Sequence, residues 1–320
     1  MNDLKTLYTF FCVTLSVILA LSGLAQEAKR EFYSNEVSFT NENDAYLFQK
    51  KDAYYSNGFL IKLHKAGEKK GNKIIQTYEL GQMIFTPLIR KTTGPADIDR
   101  PYGGYMYAAY HHTHFNRQKE ILQYKMSLGI VGPASLGEEV QFSYHKFLHF
   151  AQFTGWNYQI QNSIGIDLGI RYTKTVLEDS SWFAFLPSAE LNLGNTFTNA
   201  KLGTYLCLGS FEKNSNSVLW NAKVQKTSTQ TRRNHELFLY WFPQIILQVY
   251  NATVEGGMFN KGSGAALGET VPWMVQQNLG LFFAQDRWTT KLEWIYQSKE
   301  ANTQKNAQQY VSLQLGYRFH

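Results

Sequence analysis

Cysteine is nearly missing from this 320-residue chain, which has two, Cys12 and Cys207. Cys12 falls in a stretch that reads as an export signal, so the mature chain is expected to keep one thiol. One cysteine excludes an internal disulfide. Proline is scarce as well, at 7, and charged residues make up 18%, too few for a coiled coil. A long apolar run is also lacking. Beyond residue 25 the longest, Leu237 to Tyr250, is broken by Pro243, Gln244 and Gln248 and falls short of the roughly 18 residues a membrane-crossing helix needs.

What the chain does have is aromatic mass. Twenty Tyr, 22 Phe and 7 Trp exclude disorder and suit strands better than helices. A mean hydropathy of −0.33 excludes a helical membrane bundle. The net charge of +6 suits a partner rich in phosphate or carboxylate, but the basic residues are too dispersed for nucleic acid.

Lys5, the apolar stretch Leu7 to Leu21 and the small residues of Ser22-Gly23-Leu24-Ala25 predict a signal peptide over residues 1–25, leaving 26–320 as one domain. In that domain the dominant pattern is alternation. Val311, Leu313, Leu315, Tyr317 and Phe319 alternate with Tyr310, Ser312, Gln314, Gly316 and Arg318. Leu122, Tyr124, Met126, Leu128 and Ile130 alternate with Gln123, Lys125, Ser127 and Gly129. A sandwich would bury such apolar faces between two sheets, whereas an outer-membrane barrel turns them to lipid. A last strand closing on Phe319 and aromatics grouped at strand ends favour the barrel.

Twelve candidate strands, an even number, predict an all-β fold: an antiparallel transmembrane outer-membrane barrel with a periplasmic N-terminus. Asn116-Arg117-Gln118-Lys119 and Asp286-Arg287 become periplasmic turns, and the links 85–103, 132–158 and 250–270 face outside. The polar link 212–234, with Arg232-Arg233, falls on the periplasmic side as an excursion. Leu136 to Phe150 alone looks helical, with a stripe of Leu136, Val140, Tyr144 and Phe147. It would lie in an extracellular loop.

On that helix Glu138, Gln141 and His145 are spaced to share one face. Asn43-Asp44 ends the first strand and Tyr55-Ser56-Asn57-Gly58 opens the second, so both reach the same outer rim. Alternation with Tyr55, Phe59, Ile61 and Leu63 points Ser56 inward. Each has a plainer reading: a hydrated His, an Asn-Asp turn. His112 and His114 share a strand face near the periplasmic end, far from this cluster, which speaks against a metal there. Gly262-Ser263-Gly264 is read as a flexible loop rather than a nucleophile elbow.

Asn43-Asp44, Tyr55-Ser56-Asn57-Gly58, Asp99-Arg100-Pro101-Tyr102-Gly103-Gly104, Leu128 through Gly132-Pro133-Ala134-Ser135 to Glu138-Glu139-Val140-Gln141, His145 and Gly155-Trp156 resemble, in order, blocks of the outer-membrane lipid A 3'-O-deacylase family (LpxR). The resemblance spans about residues 35–165, and beyond it the match is only to barrel strands. It implies calcium-dependent hydrolysis of the 3'-linked acyloxyacyl ester of lipid A in the bacterial outer membrane; a monomer is expected, though the residues do not fix the oligomeric state. His145 is then the general base, with Asn43, Asp44, Ser56 and Gln141 as site residues. Asp44, Ser56 and Gln141 become the metal shell, and Arg90 and Lys91 a basic pair near the lipid phosphates. One departure is Ala151, six residues after the His, where some relatives carry an acid; Glu138 or Glu139 is the substitute within reach in sequence. Two other classes stay open: an outer-membrane phospholipase with Ser56 as nucleophile, and a non-catalytic barrel or porin.

Overall fold

The computed structural model describes residues 32–47, 54–69, 71–116, 118–179, 182–226, 235–260 and 265–320. The expected signal peptide lies outside these residues, as do Arg232-Arg233 and Gly262-Ser263-Gly264. Thirteen strands follow in order: β1 (Asn35–Asn43), β2 (Tyr54–Lys69), β3 (Asn72–Thr86), β4 (Gly103–Phe115), β5 (Glu120–Val131), β6 (Ser163–Lys174), β7 (Leu177–Asp179), β8 (Phe183–Gly194), β9 (Phe197–Ser210), β10 (His235–Asn251), β11 (Trp273–Gln285), β12 (Trp288–Gln297) and β13 (Gln308–Phe319). β7 is a three-residue spur on β8. The other twelve pair antiparallel with their neighbours, and β1 with β13 and β6 with β8 close the ring. A closed twelve-stranded barrel is therefore the fold, and closure leaves no unpaired edge for lipid to meet.

The alternation works as read. Tyr124, Met126 and Leu128 of β5 are exposed on the outer wall while Ile121, Ser127 and Val131 face in. Charged side chains face the lumen as pairs: Lys62 with Glu79 (3.2 Å), Lys291 with Glu293 (2.7 Å), Arg318 with Glu36 (2.8 Å) and Arg171 with Glu190. Removed from lipid, each finds its counter-charge on the same strand or the next one. A lumen cavity of about 540 Å³ remains among these pairs.

Segment 212–234 is described over residues 212–226, which do lie at the end carrying the turns after β4 and β11 but are no solvated excursion. Its described part folds into the lumen. Phe211, Val218, Trp220, Ala222 and Val224 pack on Ala66, Ile75, Phe115, Ile121 and Phe238, and Lys223 pairs with buried Glu236 at 3.4 Å. The barrel is stoppered at that end, which argues against the porin reading.

At the opposite end the predicted helix, α1 (Gly137–Leu148), lies against the outer surface of the wall. In β4 the outward-facing row is Gly104, Met106 and Ala108, and Gly104 alone of these is buried. A side chain there would meet the Gly137 Cα at 2.9 Å. Two facing glycines let helix and strand backbones touch, as no residue with a Cβ would allow.

Candidate functional site

The outward rows of β1 and β2 change character toward the rim. In β1 the row runs Val37, Phe39, Asn41, Asn43; in β2, read upward, it runs Leu63, Ile61, Phe59, Asn57. The lower members are open to lipid, whereas Asn41, Asn43 and Asn57 are buried. Polar groups on a lipid-facing wall need cover and partners. Asn41 donates to the Asn57 Oδ1 at 2.9 Å and the Gly58 carbonyl at 3.0 Å, and its own Oδ1 accepts from the Tyr46 hydroxyl. Asn43 caps the turn that follows, accepting from the Ala45 amide at 2.7 Å. Asp44 and Ser56, also buried, stand at the adjacent strand ends, since Asn43 pairs with Asn57.

Ser56 does not point inward. The β2–β3 register slips between Tyr55 and Asn57, a bulge with one extra residue. Tyr55 turns into the barrel, where its hydroxyl donates to Glu42 at 2.5 Å and its ring lies 4.5 Å from that of Tyr310. Ser56 is left on the other side, sharing a short hydrogen bond with Thr86. The extra residue flips the parity on which the inward assignment rested.

The cover is α1. Gln141 and His145, four apart, are 3% and 4% exposed and look into the protein. Glu138 does not join them: it lies at the exposed edge and accepts from the Gln159 amide at 3.3 Å. Behind α1, Tyr102, Phe153 and Trp156 form an apolar cluster with Ile84 and Val140. The His145 ring is 5.7 Å from both Phe150 and Phe153.

Both polar residues are held in defined orientations. His145 Nδ1 lies 2.8 Å from the Ala151 carbonyl oxygen. A carbonyl only accepts, so Nδ1 carries the proton and Nε2 keeps its lone pair. Thus at Ala151, where an acid was absent, the main chain orients the imidazole. Gln141 Oε1 accepts from the Trp156 indole N–H at 2.8 Å, which fixes the amide; its buried Nε2 has no hydrogen-bond partner among the described residues. Tyr144 joins helix and wall. Its ring is 6.1 Å from Phe59, and its hydroxyl lies near that of Tyr46, which burial pushes up to a pKa of about 12.

Arg90 and Lys91 differ in placement. The Arg90 guanidinium lies 5.8 Å over Phe153, the ring that also touches His145, while its carbonyl accepts from the Thr154 amide at 3.1 Å. Lys91 is exposed beside it. Sequence reasoning missed Arg100, Trp156 and Tyr102 as individual functions. Arg100 is fully buried, donates to Glu300 at 2.6 Å and stacks 3.9 Å over Phe85, tying outer loops together. His112 and His114 do lie near the far end of β4, and the described residues hold no group of three His, Cys, Asp or Glu able to take a metal.

A family model described as outer membrane protein LpxR matches residues 9–319. The chain belongs to the LpxR family. Like its family, this LpxR-type chain is a protein of the bacterial outer membrane. Among solved structures it is similar to LpxR from Salmonella typhimurium, at 15% identity and a TM-score of 0.74, covering 89% of this chain and 100% of that one. The beta domain of the Bordetella autotransporter BrkA follows at 9% identity and a TM-score of 0.47, covering 90% of this chain and 99% of that one. The search of curated proteins gave no match.

Proposed function

We propose that this LpxR-family chain is a lipid A 3'-O-deacylase that hydrolyses the 3'-linked acyloxyacyl ester in a calcium-dependent reaction, with His145 as general base. The observation that carries it is the His145 imidazole, buried with Gln141 between α1 and the outside of the wall and held through Nδ1 by the Ala151 carbonyl at 2.8 Å. His145 Nε2 takes a proton from water, and the water oxygen attacks the ester carbonyl carbon. On collapse the C–O bond to the sugar breaks and His145 returns the proton to the departing alkoxide. The Ala151 carbonyl holds the ring in the tautomer this requires.

The donor set supports a hard cation. Asp44 brings a carboxylate, Asn43 an amide oxygen, Ser56 a hydroxyl and Gln141 the second lone pair of Oε1, an all-oxygen set of the kind a hard cation takes. Asp44, Ser56 and Gln141 would hold calcium, which when bound supplies electrostatic stabilisation of the oxyanion. Gln141 Nε2 is a further donor for a substrate oxygen. Arg90, with exposed Lys91 beside it, suits a lipid phosphate.

The phospholipase alternative would need a base on Ser56, whose hydroxyl is shared with Thr86 instead. Mass spectrometry of lipid A from cells with and without the protein tests the proposal. Loss of the 3'-acyloxyacyl mass is expected. Unchanged lipid A together with release of fatty acid from phospholipid would favour the alternative.

A further inference from the structure

One flank of α1 rests on nothing among the described residues. Leu136 at its start and Phe147 near its end are 49% and 72% exposed, although both belong to the apolar stripe. Helices of soluble folds turn such a stripe to the core and their polar residues to water. Here the buried face carries Gln141 and His145, and the stripe lies to one side of it. Glu139, Ser143 and Lys146 occupy the exposed face away from the wall, with Phe142, 53% exposed, beside Lys146 and Glu139.

The stripe continues an established surface. Tyr144, in the same row, sits over Phe59, and Phe59 lies 6.4 Å from Phe39, both on the lipid-facing wall. Below them runs a groove of about 640 Å³ lined by Phe39, Phe59, Ile61, Leu80, Met106 and Leu128. The apolar surface thus runs from the barrel's lipid band up to the helix past Gln82, whose amide is taken up by the Ser135 carbonyl at 2.6 Å, while Asn41, Asn43 and Asn57 are buried.

We infer that α1 is an interfacial anchor whose Leu136 and Phe147 flank is seated in the acyl chains of the outer leaflet, so that a lipid approaches His145 sideways along the groove. The anchor follows from this apolar surface; the entry route rests on the lipid hydrolase reading. A helix with one apolar flank and a charged upper face lies in an interface in this way.

The test labels the full-length protein with a bimane at Phe147→Cys, Met126→Cys on the outer wall and Gln118→Cys in the turn after β4, buried Cys207 remaining unlabelled. The variants are placed in phosphatidylcholine vesicles with or without brominated chains. Brominated lipid should quench the label at 147 as it does at 126, and iodide should quench only the label at 118. Quenching of 147 by iodide instead, or protection from both quenchers as under a second copy of the chain, overturns the anchor. A second arm compares Leu136→Ser/Phe147→Ser with the parent protein on lipid A. Hydrolysis in vesicles should fall about tenfold or more, while hydrolysis in dispersed detergent micelles stays within about twofold. Equal loss in both settings overturns the entry route. Absence of lipid A hydrolysis by the parent would sink the functional reading and leave the quenching result standing.

Discussion

Replacing Gly104 by Ala adds one methyl group at the point where α1 touches the barrel. That methyl would lie 2.9 Å from the Gly137 Cα and 3.1 Å from its nitrogen. Carbon atoms in ordinary contact stand about 3.5–4.0 Å apart, so the helix must back off by roughly 1 Å. The Ser135 Oγ, nearer still, can turn aside, but the Gly137 atoms are backbone and cannot yield by rotating a side chain. Gly104 pairs within the β3–β4 ladder and the chain is extended there, so the strand accepts alanine and the barrel still closes. The strain goes to the helix, and with it to Gln141 and His145.

A misplacement of about 1 Å between a catalytic group and its substrate costs on the order of 10² in rate. Gly104→Ala should therefore lose about two orders of magnitude in release of the 3'-acyl group while keeping the heat-modifiable gel mobility of a folded barrel. Ala108→Val, in the same outward row but exposed, is the matched control and should keep the parent rate. A Gly104→Ala protein that works at the parent rate would show that α1 does not need this contact to hold the site, and the geometric argument would fail.

His145→Ala should lower hydrolysis by about 10²–10⁴ in a barrel that still folds, measured by mass spectrometry of the product; a parent-like rate would shift attention to Ser56. A chelator should abolish hydrolysis and added calcium restore it, and activity that persists in excess chelator ends the metal assignment. Lys223→Met leaves the Glu236 carboxylate buried without its ammonium, a loss on the order of 3–5 kcal/mol, seen as a lower temperature for heat-modified mobility. An unchanged transition would mean that the lumen plug contributes little to stability.

The barrel is legible in the sequence because lipid imposes a period of two on every strand, and nothing else in the chain imitates it for as long. The helix is legible for the same kind of reason, through its stripe. The lumen plug is not, because Val218-Leu219-Trp220, Ala222 and Val224 make only a short apolar patch inside a polar segment and gain their meaning from the strand ends they meet. The inward assignment of Ser56 fails by one residue, since a bulge carries no signature beyond the count of residues between paired positions.

What the sequence did carry, unread, was a change along single rows. Val37 and Phe39 give way to Asn41 and Asn43, and Ile61 and Phe59 to Asn57, all on the face that should meet lipid. A bare wall cannot hold amides there, because lipid offers no partner for their hydrogen bonds. Such a break in an outward row therefore requires protein on the outside of the barrel, and the one helical pattern in the chain is the element available to supply it. The polar break and the helix predict each other. Together they put Gln141 and His145 on the membrane side of the wall and not in the lumen, which the plug closes at one end and whose cavity is lined by charged side chains.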